Sequence, residues 1–384
     1  MAGKATTPKR VPIVTKTSKT ANLESTFDNS VLSSIATGVN ETLKKNFKDL
    51  ETSPFQIGTQ PGEELQVNYW IKTGIPSLDY AIGGVNHPGV PGGRIVEIFG
   101  GEATGKSTLC VHLVKRSIDA LDSFAIYQDA EQVLTEEIIQ GSGIDMDRVI
   151  HQNPQILEEA FTSQQAAIDL MLERDAKLKN KTKPFVIVLD SVAACSTKSE
   201  LEGEYGDATM GIHARLMSQA LRKIKGPIAK LDIMSLFINQ TRSKIGNSWG
   251  KQYSTFGGEA LKFYASVRIL LTKIETLKKN EVPVGARIRA SIEKNKVAPP
   301  LKKAEYNIMF REGTNGSYPE IDTAAAVLDW CLEKELGEDV LKPGSAGRVE
   351  YKGKSYYRLA LINEMYEDPT LYAELEDLAY SYKG

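Results

Sequence analysis

The chain has 384 residues, enough for two or three structural units at roughly 150 residues each. A formal net charge of −2 excludes a globally basic nucleic-acid binder, so any such binding must come from local faces. Three widely separated cysteines, Cys110, Cys195 and Cys331, exclude a disulfide framework and point to a reducing, intracellular compartment; no apolar run reaches the ~18 residues of a membrane span, and the N-terminus lacks the apolar core of a signal peptide.

Residues 1–28, rich in Thr, Lys, Ser and Ala, read as a disordered basic tail. Val31, Ile35, Val39, Leu43 and Phe47 then recur every fourth residue, one stripe of a helix with Asn29 or Ser30 as its N-cap. That stripe must be buried, either on its own domain or on a neighbouring subunit. Residues 51–66 read as a linker. Short apolar runs at 95–99, 124–128, 185–189, 236–239 and 267–271 alternate with helical patterns, which predicts an α/β core with a mostly parallel twisted sheet flanked by helices. Beyond Gly313, a helical stripe (Ala324, Val327, Leu328, Cys331), a Gly/Lys-rich piece at 342–354 and an acidic helix near 369–378 predict a small C-terminal domain. The resulting division is 1–28, 29–68, 69–310 and 311–384.

The strongest chemical signal is IVEIFGGEATGKST at 95–108, a strand followed by G-x-x-x-x-G-K-[ST] and a helix. Gly100, Gly101, Glu102, Ala103, Thr104 and Gly105 form a loop whose backbone N–H groups can converge on phosphate oxygens at a helix N-terminus. Lys106 supplies charge to the β/γ-phosphates and the Ser107 hydroxyl suits Mg²⁺, with Thr108 next in line. The strand KPFVIVLDS ends in Asp190, either a second anchor for the metal's hydration shell or the N-cap of the next helix. FAIYQDAE offers Asp129 and Glu131 as groups that could polarise water, and spacing does not choose between them.

The run LFINQ leads from a buried strand into NQTRSKIGNSWGKQYSTFGG, residues 239–258. Loops in compact domains have a median of about 4–6 residues, so this segment is either disordered or functional. Gln240 stands at its root, where an amide can touch a γ-phosphate and order the segment. Arg242, Lys244 and Lys251 around Trp249 suit single-stranded nucleic acid. A second loop, ELEGEYGDATMG, leads into a helix whose predicted core stripe is Ile212, Leu216, Ala220 and Ile224. Arg215, Ser218 and Arg222 share its other face, either tracking phosphates or simply solvated. Lys294 and Lys296 lie two apart on a strand-like segment and share a face.

Taken together, IKTGIPSLDYAIGG, GGRIVEIFGGEATGKSTL, DAE at 129–131, LDSVAA, EGEYGDATMGIHARLMSQALRKI, FINQTRSKIG, GGEALKFYASVR and EKNKVAPPLKKAEYNIMF resemble the bacterial-type RecA recombinase family across roughly 71–310. YKGKSYYR and EDPTLYAELEDLA carry a weaker resemblance. The resemblance implies an ATP site at 100–108, Mg²⁺ served by Asp190, and Glu131 rather than Asp129 as the carboxylate that activates water. It makes Gln240 the γ-phosphate sensor and Lys294 and Lys296 contacts to the ATP of the adjacent subunit. It puts DNA-binding loops around 202–211 and 241–256, with Met210, Arg215, Ser218, Arg222, Arg242, Lys244, Ile245, Gly257 and Gly258 near the strand. It also implies Lys262, Phe263 and Arg268 at a subunit interface and the N-terminal helix as the polymerisation element. The expected partners are single-stranded DNA, homologous duplex, further copies of the chain, and single-strand-binding and loader proteins. The expected place is the bacterial cytoplasm, or an infected host if a phage encodes the chain. The sequence departs from the family at Ile138, where many members have an adenine-stacking aromatic. It also departs in WGKQYSTF, in its longer N-terminal region, and in stopping at Lys383-Gly384 without a long acidic tail. A ring-forming motor on the same core, and a filament protein with a vestigial ATPase site, are the alternative functions.

Overall fold

The computed structural model describes residues 34, 37–39, 41, 42, 44, 45, 66–178, 183–204, 211–243, 253–312 and 317–384, with the backbone alone for Arg242, Ser243 and Ser317. Met1–Gly62 and Glu63–Gly384 are separate compact units. In the first, the described residues between 34 and 45 are helical, and Val39, on the predicted stripe, is half-buried while its described neighbours are exposed. The rest of that stripe, the tail at 1–28 and the linker at 51–65 lie outside the described residues.

In the second unit the strands are β1 (Trp70–Ile71), β2 (Val90–Pro91), β3 (Ile95–Gly100), β4 (Ala125–Asp129), β5 (Val149–Gln152), β6 (Val186–Asp190), β7 (Met234–Ser243), β8 (Tyr253–Thr255), β9 (Val267–Lys279), β10 (Val282–Asn295), β11 (Lys303–Glu312), β12 (Ser317–Ile321), β13 (Leu341–Pro343), β14 (Arg348–Tyr351) and β15 (Lys354–Tyr357). Its helices are α1 (Pro76–Gly83), α2 (Lys106–Leu121), α3 (Glu136–Ser142), α4 (Leu157–Leu178), α5 (Lys198–Glu202), α6 (Ile212–Lys230), α7 (Ala260–Tyr264), α8 (Thr323–Glu333), α9 (Arg358–Glu367) and α10 (Pro369–Ala379).

The main sheet has the order β12-β11-β10-β9-β3-β7-β6-β4-β5. From β9 to β5 neighbouring strands are parallel, and from β9 to β12 they are antiparallel. Every residue of β3 and β6 is buried, as expected of central parallel strands covered on both faces. Side-chain alternation then divides the core. Val96, Ile98, Val186 and Val188 face one apolar layer with Leu109 and Leu113 of α2. Ile95, Phe185, Ile187 and Leu189 face a second layer with Leu221 and Ile224 of α6. All five predicted apolar runs are strands of this sheet.

Several expectations shift. The strand predicted at 236–239 continues to Ser243 and pairs antiparallel with β8, Thr241 opposite Thr255 and Ser243 opposite Tyr253. The long loop is therefore a hairpin with a paired stem, and its tip at 244–252 lies outside the described residues. The α6 core stripe is Met217, Ala220, Leu221, Ile224 and Ile228, leaving Ile212 and Leu216 only half-buried. The sheet runs past residue 310 through β12, and the Gly/Lys-rich piece at 342–354 folds into the three-stranded sheet β13-β14-β15. The stripe Ala324, Val327, Leu328 and Cys331 is buried in a third cluster that Tyr80 of α1 joins. All three cysteines are free and buried.

Candidate phosphate-loop site

The parallel register aligns the carboxyl ends of the strands. Gly100 stands opposite Gln240, and Asp129 opposite Asp190. Open α/β sheets present ligand sites at this edge. Glycine is called for at two positions of the loop, by backbone crowding at Gly100 and by a positive φ at Gly105. A Cβ on Gly100 would lie 2.3 Å from the Leu271 carbonyl oxygen, and one on Gly105 would lie 2.2 Å from Ile308 Cδ1. Gly105 also caps α2 at φ +80°, the left-handed region where glycine carries no Cβ penalty. The Thr104 hydroxyl donates to the Gly101 carbonyl at 3.0 Å and the Lys106 ammonium donates to the same oxygen at 2.7 Å, so the loop closes over its own lysine. Burial pulls the Lys106 pKa down, against the opposing pull of Glu131, Asp190 and Glu102.

Asp190 is fully buried. Tyr127 donates its phenol to Asp190 Oδ2 at 2.9 Å, while Oδ1 meets no hydrogen-bonding partner. Burial raises the Asp190 pKa to about 7, countered by the Ser107 and Tyr127 hydroxyls. A buried carboxylate with one oxygen left without a close hydrogen bond, next to the Ser107 hydroxyl, fits a hard cation such as Mg²⁺, which binds through one or two protein oxygens plus substrate phosphates. Among the described residues no group of three or more His, Cys, Asp or Glu side chains could hold a metal ion. Asp190 does not cap a helix; Thr197 caps α5 in a capping box with Glu200.

The choice between Asp129 and Glu131 becomes legible in their partners. Asp129 accepts from the backbone N–H groups of Val133 and Leu134 at 2.8 and 2.9 Å, so it holds its own loop. Glu131 Oε1 accepts from the Ser191 hydroxyl and, at 2.9 Å, from the Gln240 amide. Glu131 and Gln240 thus meet across the strand ends. Ser191, Tyr127 and Asn239 were not singled out from the sequence. Ser191 and Asn239 directly adjoin residues that were, and Tyr127 shares a strand face with Asp129 by period-two alternation.

Asn239 Nδ2 donates to Glu97 Oε1 at 3.0 Å and to the Phe256 carbonyl at 3.0 Å. Arg268 donates to the other oxygen of Glu97, and its guanidinium lies 4.4 Å over the Phe99 ring. Arg268 is only 6% exposed, so it is occupied inside the fold and offers little surface to a neighbouring subunit. Phe263 is 70% exposed and Lys262 is half-buried. Lys294 donates to the carbonyls of Lys262 and, at 3.0 Å, Phe263; Lys296 donates to Phe263 at 3.5 Å. Both lysines therefore converge on the C-terminal carbonyls of α7, where cations are favoured. Burial and the charges of Lys296 and Arg268 lower the Lys294 pKa to about 8.

On α6, Arg215 and Arg222 are exposed and Ser218 is half-buried between them. Gly257 and Gly258, at φ +75° and +68°, turn the chain against this helix; a Cβ on Gly258 would lie 2.8 Å from Ala214 Cβ. Their immediate role is close packing. Met210, Lys244, Ile245 and Trp249 lie outside the described residues, as does the Arg242 side chain. Beside the phosphate loop, a cavity of about 200 Å³ is lined by Thr108, His112, Ile138, Gly141, Pro319 and Thr323, among others. Tyr318 lies against Gly141 so closely that a Cβ there would fall 2.3 Å from its ring.

This fold and site define a nucleotide-binding protein of the phosphate-loop class. The RecA N-terminal domain model matches residues 38–315. The chain is 43% identical over 268 residues to the protein RecA of Gloeobacter violaceus, covering 70% of this chain and 66% of that one. It is 43% identical over 275 residues to the protein RecA of Bifidobacterium longum, covering 72% and 65%. With the protein RecA of Chlamydia trachomatis serovar A it shares 40% identity over 311 residues, 81% of each. The chain belongs to the RecA family. It spans just under two thirds of the length of the first two of these relatives. No described helix is long and apolar enough to cross a membrane.

Proposed function

We propose that the chain is an ATP-dependent DNA recombinase. It assembles as helical filaments on single-stranded DNA, pairs that strand with homologous duplex, exchanges strands, and hydrolyses ATP in a DNA-stimulated manner. The observation that carries this reading is the contact of Gln240 with Glu131 at the root of the β7–β8 hairpin. One residue touches the candidate hydrolytic carboxylate and begins the segment proposed to hold DNA.

Residues 100–108 bind the nucleotide phosphates, with Lys106 released from the Gly101 carbonyl onto a phosphate oxygen. The cavity at Ile138 takes the base. Ser107 and Asp190 Oδ1 would hold Mg²⁺, which when bound neutralises phosphate charge. Glu131, kept in place by Ser191 and Gln240, orients and deprotonates the attacking water. A γ-phosphate that captures the Gln240 amide draws on the strand end from which the hairpin starts, and so orders the hairpin. Met210, Arg215, Ser218, Arg222, Arg242, Lys244, Ile245 and Trp249 face the DNA, with Gly257 and Gly258 shaping the turn. Lys294 and Lys296 leave the α7 carbonyls for the ATP of an adjacent subunit, beside Lys262 and Phe263, and Arg268 supports that region from within. The N-terminal helix links subunits. The work takes place in the bacterial cytoplasm, with single-strand-binding and loader proteins as further partners.

The deciding test is the ATPase rate with and without single-stranded DNA, with electron microscopy of the same samples. Stimulation with helical filaments is expected. Stimulation with closed rings would favour a ring-forming motor, and neither effect would remove the assignment. Lys106→Ala should abolish ATP-dependent DNA binding; filaments formed with ATP by that variant would overturn the role of the phosphate loop.

A further inference from the structure

Tyr127 is fully buried on β4, in the apolar layer that contains Leu109, Cys110 and Leu113 of α2. Apolar burial accounts for its ring and not for its hydroxyl. In the parallel pairing of β4 with β6, Tyr127 stands opposite Val188 and Asp129 opposite Asp190. Asp190 therefore lies two residues further along the neighbouring strand, on the same face of the sheet as Tyr127. Such diagonal neighbours are within reach of an aromatic side chain, and the phenol donates to Asp190 Oδ2 at 2.9 Å. The backbone joins the same two strand ends, because the Glu131 N–H donates to the Asp190 carbonyl at 3.1 Å. Asp190 is thus held at its backbone and at one carboxylate oxygen. Its Oδ1 is left without a close hydrogen bond, and the Ser107 hydroxyl stands beside the carboxylate.

The torsion that turns an aspartate carboxylate is broad and two-fold, so the backbone does not decide which oxygen is presented to a ligand. A single donor on one oxygen does decide it, provided the donor cannot follow the carboxylate round. A phenol on a ring packed in the core meets that condition. A buried phenol needs an acceptor in any case, and a backbone carbonyl would serve; here the acceptor is the side chain with an oxygen to spare for a cation. Given the reading of the phosphate loop as a site for ATP and Mg²⁺, on which this rests, we propose that Tyr127 is a positioning residue for the cation: its phenol holds Asp190 Oδ2 and so keeps Oδ1 available, with Ser107, for Mg²⁺. Outer partners that orient a metal-binding carboxylate are worth about 10–100-fold in metal affinity.

The test is the affinity of the full chain for ATP, measured by equilibrium dialysis with Mg²⁺ and again in EDTA. Tyr127→Phe removes one hydroxyl and keeps the ring. It should cut the gain in ATP affinity that Mg²⁺ brings by about tenfold and leave the affinity in EDTA unchanged. Added to Asp190→Asn, Tyr127→Phe should change that gain no further, as expected of two groups that act as a unit. An unchanged gain in the Tyr127→Phe protein would overturn the proposal. So would an equal loss of affinity with and without Mg²⁺, the result a packing role alone predicts and the one a poorly folded variant would give. An effect as large on the Asp190→Asn background as on the wild type, or a wild-type affinity indifferent to Mg²⁺, would overturn it too. A failure of the phosphate-loop reading shows separately, as ATP binding that Lys106→Ala does not reduce.

Discussion

At the scale of single residues, neighbouring carboxylates are sorted by what they touch. Asp129 spends both oxygens on backbone N–H groups, whereas Glu131 is held only by side chains that can turn away. Glu131→Gln should therefore keep nucleotide-dependent assembly and slow turnover by about 10²–10⁴-fold, the usual worth of a general base; steady-state phosphate release and filament imaging of one preparation check both halves. Gly105→Ala places a Cβ against Ile308 at a positive φ, at a cost of about 2–4 kcal/mol, measurable by urea unfolding. Asp79 is a different case. It is fully buried, accepts from Thr73 N and from the Tyr380 and Thr73 hydroxyls, and burial raises its pKa to about 7. A raised carboxyl pKa means that the native state binds more protons than the unfolded chain between about pH 4 and 7. The stability contributed by the neutral acid is thus complete below pH 4 and lost as pH rises through 7. Asp79→Asn should flatten that dependence, gaining on the wild type at pH 8 relative to pH 5 in thermal melts; parallel curves would contradict the assignment.

Among elements, the β7–β8 hairpin shows how a long polar segment is rooted. Its stem pairs over three residues, and Asn239 bonds the carbonyl of Phe256 beyond the far strand, so both ends are fixed at one amide. None of this was legible beforehand, because TRS and YST carry no apolar period and the pairing is set by the buried Asn239. The α6 stripe was misplaced for a related reason. Ile212 and Leu216 fit a helical period, but helix orientation is set by the sheet beneath, which selects Met217, Leu221 and Ile228. Arg215→Ala together with Arg222→Ala should weaken single-stranded DNA binding, reduce its salt slope, and leave the melting temperature within a degree or two, since both side chains are exposed.

Over the whole molecule, most of the parallel sheet could be read from sequence. A buried parallel strand is a mostly apolar run, and β3, β4, β6 and the first halves of β7 and β9 have that form. The antiparallel extension β10–β12 and the small sheet β13–β15 were harder, because their strands are half-exposed and rich in Lys, Arg and Glu. The candidate site was legible wherever chemistry is local, as in the phosphate loop and at Asp190. It was not where it depends on register: only the alignment of Gly100 with Gln240 brings Gln240 within reach of Glu131.

The Glu97 carboxylate sits on the middle one of three adjacent strands, with one oxygen bound to Arg268 of β9 and the other to Asn239 of β7. Removing one partner of a buried ion pair leaves the other uncompensated, so Glu97→Ala should cost about 3–5 kcal/mol. Because one side chain clamps both flanking strands, β9, β3 and β7 cannot open separately. In native-state hydrogen exchange their amides should therefore report a single opening free energy and be lost together as denaturant rises. After Asn239→Ala, β7 should exchange ahead of the other two.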